Sequence, residues 1–327
     1  MNYKCCEYIL NCMVLAQSEI IPCCCGPKNR ERTVFIENFK GNHFDFEEYN
    51  KQRTLYIDMF KKGEIPLYCK GCPCIEEKEW DDLPKIKRII ISNRTKCSCN
   101  CIYCSLVTTS TQTKEELNTR VCYDVIPVLN DLCNQNLIDK DCNITIAGGE
   151  CCEYPKGELE YILYLSSVLG CNLEILSSGI IFSKAIESVL KTEKCVLKIS
   201  VDSGFKSTYE KIKRVKTYDK VWENLSRYVK ATENNKNAKV VIKYIILPGI
   251  NDNKKEVKKF IEKCNSVSCR NIEIAIEYVW FEKNKNKFPD QKLIDTIKEL
   301  KTYPFNITFE EQVIQYIEFL QKYSSKI

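Results

Sequence analysis

An α/β fold, a partial barrel of six strand-helix units behind a small cysteine-rich module, is what this sequence of 327 residues predicts. Three observations predict it. From Lys85 onward, short β-branched runs alternate with helical patterns, as in successive βα units of a parallel sheet. From Asn143 onward each candidate strand starts 23 to 44 residues after the one before it, the spacing of a strand followed by a crossover helix, while Asn143 itself comes 56 residues after Lys87. Thirteen of the 22 cysteines fall at or before Cys104, so the front third differs in kind from the rest.

The candidate strands are Lys87 to Ser92, Asn143 to Ala147, Leu173 to Leu176, Val196 to Val201, Val240 to Leu247 and Ile272 to Tyr278. Helical patterns between and after them cover 114–136, 158–169, 183–190, 218–232, 253–264 and 290–300. The order makes a TIM-type (β/α)6 partial barrel over 85–300, with a cysteine-rich module over 1–84. The rest, 301–327, is an extension whose amphipathic stretch Gln312 to Lys326 packs as a last helix.

Composition excludes several function classes. A hydrophobic content of 44% is ample for a packed core. Disulfide frameworks belong to short secreted chains, and the apolar run Tyr8 to Ala16 is interrupted by Asn11 and preceded by Glu7 rather than a basic region. Nothing approaches the roughly 20 apolar residues of a membrane span. A cytoplasmic protein with reduced thiols, away from membranes, is expected. Net charge is +5, from 49 basic and 44 acidic residues interspersed along the chain, which gives no nucleic-acid face. The cluster Lys283 to Lys287 reads as a solvated loop. His43 is the single histidine, so an HExxH zinc site, a Ser-His-Asp triad and a Cys-His pair are ruled out. It sits in Gly41 to Phe46 as a turn or surface residue, and cysteine must carry the metal chemistry.

Two motifs at predicted strand ends do so. The stretch Thr95 to Cys104 spaces Cys97, Cys101 and Cys104 as Cys-x3-Cys-x2-Cys, with Tyr103 before the last. Three thiolates from one short loop suit an iron-sulfur cube with one iron left open to a small molecule. One unit later, Asn143 to Ala147 runs into Gly148, Gly149 and Glu150. Glycines let backbone approach closely, and the carboxylate can accept hydrogen bonds from an ammonium group.

Together these residues resemble the radical S-adenosylmethionine (SAM) superfamily. The resemblance implies a 4Fe-4S cluster on Cys97, Cys101 and Cys104, whose open iron binds the amino and carboxylate groups of SAM. It implies that Gly148, Gly149 and Glu150 hold the methionyl amino group. Ser177 to Gly179, Ser200 and Asp202 match in position small polar residues that the family directs at SAM, and Tyr103 belongs to the cluster signature. Lys243 to Asp252 matches the fifth strand and its exit turn, with apolar side chains available to adenine. The matches extend over about 85–300. The implied reaction is reductive cleavage of SAM to a 5'-deoxyadenosyl radical that abstracts hydrogen from a substrate, with a flavodoxin or ferredoxin as reductant.

The front offers a second metal site. Cys69 and Cys72 form a compact pair, with Cys5, Cys6 and the triplet Cys23, Cys24, Cys25 upstream. The arrangement is similar to an auxiliary-cluster module of the SPASM or twitch type, placed before the barrel. That likeness implies a second 4Fe-4S cluster on Cys6, Cys69, Cys72 and one member of the triplet, with Cys24 favoured. Structural zinc on the same four thiolates is the other reading. Cys74, Cys99, Cys151 and Cys152 are left without a role, and the remaining scattered cysteines pack.

Two other function classes compete. A zinc-binding interaction protein would use Cys69, Cys72, Cys101 and Cys104 as two knuckles, but 28 residues lie between them and Cys97 and the glycine motif go unexplained. An iron-sulfur electron carrier needs no open iron. The substrate is not legible; an accessory module of this kind favours a peptide or protein over a small molecule.

Overall fold

The computed structural model describes residues 2–23, 34–41, 44–72, 74–80, 84–108, 112–284 and 290–324. Cys24, Cys25, His43 and most of the Lys283 to Lys287 cluster lie outside them. The chain groups into two compact units, residues 1–96 with 119–175, and residues 97–118 with 176–327.

In the first unit, β1 (Asn2–Cys6) and β4 (Ile75–Glu79) form an antiparallel pair in which Cys6 faces Ile75. A second sheet runs in the order β3 (Ile20–Ile21), β2 (Cys12–Leu15), β5 (Ile86–Ile91), β6 (Ile138–Ile146) and β7 (Asn172–Ser177). Its strands are parallel apart from β3, with Val14 opposite Ile90 and Ile91 opposite Ile146. The cysteine-rich front therefore supplies strands to this sheet as well as the small antiparallel pair. It also holds the helix Phe46–Lys61, which starts where Asp45 accepts a hydrogen bond from the Glu48 amide and so satisfies an otherwise orphaned donor.

In the second unit, β8 (Cys195–Ser200), β9 (Lys239–Ile246), β10 (Asn271–Ile276) and β11 (Asn306–Phe309) are parallel. β9 and β10 are almost wholly buried, as their Val- and Ile-rich sequences require of strands covered on both faces. Crossover helices follow the strands, among them Lys184–Thr192, Tyr218–Ala231, Lys254–Ser266 and Gln291–Lys301. Ser183, Asn253 and Asp290 each cap a helix by accepting from the amide three residues on.

All six predicted strands are present, and the last amphipathic stretch is the helix Glu311–Ser324. Three differences stand out. The helix expected over 114–136 is two, Lys114–Thr119 and Ile126–Asn134, because Pro127 in the first turn of the second lacks the amide a continuous helix would need. The helix Lys206–Lys213 was not expected, nor was β11. Finally, the apolar run Tyr8 to Ala16 is divided between the short helix Glu7–Asn11 and β2.

Candidate functional site

The cysteine loop is held by its own backbone. In the second unit the amides of Asn100 and Ile102 donate to the carbonyls of Lys213 and Ile212, at 3.1 and 3.0 Å. The Cys97 amide donates to Asn118 Oδ1 at 3.1 Å, and the Cys104 amide to the Cys101 carbonyl at 3.1 Å. Ile102 and Tyr103 pack on a small apolar cluster of Ile212, Ile245, Leu247 and Ala275. Cys97, Cys101 and Cys104 are half-buried while Cys99 is buried among them. A hydrogen bond from the Cys99 thiol lowers Cys101 to about 6 against the opposing effect of burial, and the Lys213 charge assists. Bonding to Cys101 and Cys97, with burial, keeps Cys99 protonated far above its usual range. Burial likewise raises Cys104.

Behind the loop lies a buried charged network. Asp202, just past β8, accepts from the Tyr103 hydroxyl at 2.6 Å and pairs with the Lys213 ammonium at 2.6 Å through the same oxygen, Oδ2. Its Oδ1 accepts from the Ile245 amide at 3.0 Å. Lys213 also donates to the Tyr103 hydroxyl. Burial opposes the charge on Lys213, yet Asp202 and Tyr103 hold it protonated well above the ordinary lysine range. A charge pair this deep is tolerable because each end also has a hydrogen-bond partner besides the other, Tyr103 for Lys213 and both Tyr103 and the Ile245 amide for Asp202. Asp202 adopts a left-handed backbone, φ +67°, and Asn251 fixes it by donating to its carbonyl at 2.7 Å. Such strain persists only where surroundings over-determine it.

In the first unit the glycine turn follows β6. Gly148 and Gly149 have φ of +80° and +54°, and a Cβ on them would lie 2.9 Å from the Arg94 carbonyl oxygen and 2.4 Å from that of Lys96. Only glycine fits so close to that backbone. The Glu150 amide donates to the Lys96 carbonyl at 2.7 Å, one residue ahead of Cys97. The Glu150 side chain is buried, and Arg94 fastens the same segment through a two-point ion pair with Glu158, at 2.6 and 3.2 Å. The turn is therefore tied, through backbone, to the segment Arg94 to Lys96 of the same unit.

The front thiols occupy a different setting. Cys5, Cys6 and Cys69 are buried in an apolar cluster with Ile9, Leu10, Ile57 and Phe60. Burial pushes Cys5 up to about 11 and Cys69 up to about 12, the neighbouring thiols Cys6, Cys72 and Cys5 adding to the latter. Three of the four residues expected to bind a second cluster, Cys6, Cys69 and Cys72, are thus neighbours. Cys5 joins them, while Cys24 lies outside the described residues.

The donor sets can be tested against the groups they would hold. Among the described residues, only Glu150, Cys151 and Cys152 bring three ligand atoms within 4.8 Å of one another. A single tetrahedral ion, with bonds of about 2.3 Å to sulfur, needs such crowding. A four-iron cube spreads its thiolates wider, so a loop of three half-buried cysteines with one thiol already lowered fits the cube better than a lone ion. Among the described residues, no two cysteines are joined by a disulfide.

No family model and no curated protein matches the sequence. Solved structures do. SuiB from Streptococcus suis bound to precursor peptide SuiA superposes with a TM-score of 0.55 and 14% identity, over 89% of this chain and 60% of that one. SuiB bound to S-adenosylmethionine gives 0.52 and 13%, over 82% and 57%. The chain shares the fold of SuiB. It spans about three fifths of the length of SuiB, and identity this low bears on fold alone.

Within that fold, the predicted residues fall into two groups. Cys97, Cys101, Cys104 and Tyr103 share one loop with Asp202 beside it, and Gly148, Gly149 and Glu150 form one turn. Ser177 accepts from the Gly179 amide at 3.0 Å, closing its own turn, and Ser200 ends β8 opposite Lys243. The Asp202 carboxylate is fully buried and engaged by protein donors. Sequence reasoning left Cys99 without a role and overlooked Lys213. The signal for Lys213 is faint: it stands four residues after Tyr209, on the buried face of a short helix.

Proposed function

We propose that this chain is a radical SAM enzyme acting on a peptide or protein. Cys97, Cys101 and Cys104 hold a 4Fe-4S cluster, and Glu150 accepts the ammonium of SAM. The observation that carries the reading is the pairing of the two motifs. A three-thiol loop too spread for one ion begins one residue after the carbonyl that anchors an acid-bearing glycine turn. When bound, cluster and SAM supply one-electron chemistry, the reductive cleavage of a sulfonium to a carbon radical that removes hydrogen from a substrate.

The chain's own residues bind and orient. Glu150, buried, makes a stronger charge-assisted hydrogen bond than it would in water. Lys213 places a cation near the thiolates and offsets their negative charge. Ile102, Ile212, Ile245 and Leu247 keep water from one side of the loop. The front module carries a second cluster on Cys6, Cys69 and Cys72, with Cys24 or Cys5 as the fourth ligand. A small flavodoxin or ferredoxin supplies electrons. Support for a peptide substrate comes from SuiB, a protein of the same fold that holds its precursor peptide.

The test is anaerobic loading with iron and sulfide, then incubation with dithionite, SAM and candidate peptides. The expected product is 5'-deoxyadenosine, with deuterium carried into it from a labelled peptide and none formed by Cys101→Ala. No 5'-deoxyadenosine with or without peptide, from protein carrying a full iron complement, overturns the reading.

A further inference from the structure

The residues directly after the glycine pair are crowded in a way the cysteine loop is not. Cys151 Sγ lies 3.6 Å from Glu150 Oε1 and 4.0 Å from Cys152 Sγ. A tetrahedral ion with bonds of about 2.3 Å to sulfur and about 2.0 Å to a carboxylate oxygen sets two sulfurs about 3.8 Å apart, and sulfur about 3.5 Å from oxygen. These two spacings are within a few tenths of an ångström of that arrangement, and the Cys152 sulfur lies no more than 4.8 Å from the carboxylate.

Local structure explains the convergence. Glu150 Oε1 accepts from the Cys152 amide at 3.3 Å, capping the 3-10 turn Cys151–Glu153 and folding the carboxylate back over the two cysteines that follow it. Glu150 and Cys151 are buried and Cys152 is half-buried, which leaves an approach on the Cys152 side. Two thiols with one carboxylate select zinc-class ions over magnesium or calcium.

We propose that Glu150, Cys151 and Cys152 form a site for one zinc-class divalent ion, and that an ion there withdraws Glu150 from SAM, so that ion and SAM exclude each other. The exclusion rests on the reading of Glu150 as the ammonium acceptor; the ion site does not. Binding releases two thiol protons to solvent. The ion's two positive charges meet two thiolates and a carboxylate, leaving one net negative charge and a fourth position for water. Because protons compete for the thiolates, occupancy weakens as pH falls.

The test uses the full chain, loaded anaerobically with iron and sulfide and dialysed against zinc sulfate. X-ray absorption at the zinc edge should show two sulfurs with oxygen completing the shell. Cys151→Ser/Cys152→Ser should hold one zinc fewer per chain. An all-sulfur shell in the wild type, which would place zinc on the front or loop thiols, or equal zinc in both proteins, overturns the site. The sulfur count in the wild type decides even where the variant folds poorly. Equilibrium dialysis of labelled SAM then tests exclusion: zinc should weaken SAM binding at least tenfold in the wild type and not in the double variant. A two-sulfur shell with unmoved SAM affinity refutes the exclusion and upholds the site. Zinc-free protein that binds no SAM refutes the functional reading, and the zinc shell still decides the site.

Discussion

The cysteine loop and the cysteine-dense front use the same side chain in opposite surroundings. In the loop, a neighbouring thiol and a buried lysine lower Cys101 to about 6. In the front, an apolar cluster raises Cys5 to about 11 and Cys69 to about 12. Hydrogen bonds and charge favour thiolate, and desolvation favours thiol. The contrast teaches that cysteine count says where metal chemistry is possible, while the polar groups around each thiol say which ligands are ready before metal arrives.

The contrast can be broken at the loop itself. Cys101→Ala should abolish SAM-dependent 5'-deoxyadenosine while leaving iron on the front thiols, measured as iron and sulfide per chain. Equal iron in variant and wild type would show that the loop holds none.

Lys213→Met attacks the support instead. It leaves Asp202 buried without its cation, at a cost of about 3–5 kcal/mol in urea unfolding. Adding Asp202→Asn should recover much of that loss, since the uncompensated charge is gone. In the first unit, Gly149→Ala should cost about 3 kcal/mol, from a left-handed backbone and a Cβ driven into the Lys96 carbonyl.

The smallest effect sharpens the comparison most. A lowered thiol is present as thiolate above its pKa and is lost as pH falls through it. Alkylation of metal-free chain by iodoacetamide, followed by peptide mass spectrometry, should therefore rise at Cys101 through about pH 6. Cys69 should stay unreactive through neutral pH. Cys99→Ala removes the largest cause and should move the Cys101 curve upward by more than Lys213→Met does, bringing the loop toward the behaviour of the front. At pH 7 a reactivity drop of about tenfold corresponds to roughly 1.4 kcal/mol.

Much of this was legible in the residues. Runs such as Lys-Val-Val-Ile-Lys-Tyr-Ile-Ile over Lys239–Ile246 announce buried parallel strands, and a helical pattern follows each. The two motifs were legible because their spacing is local. β2 was not: its four residues are too few to show a period, and they lie inside an apolar run that first reads as a failed export signal. The helix Lys206–Lys213 has only Tyr209 and Ile212 as apolar buried positions, so its pattern is thin. Lys213 itself could not be read as an internal cation, because the partner that makes it one stands eleven positions earlier and meets it only in three dimensions. The backbone roles of Gly148 and Gly149 were hidden for the same reason. Their closest neighbours, Arg94 and Lys96, are more than fifty positions away in sequence.

Asp202 leaves little latitude for sequence drift. Glycine there would relax the torsion but abandon the ammonium of Lys213, and alanine would forfeit both benefits. Asparagine tolerates the left-handed turn and could still accept from Tyr103 and Ile245, although without the charge. Variants that keep this fold should therefore alternate at position 202 between two residue types at most, and the choice should travel with the residue at 213.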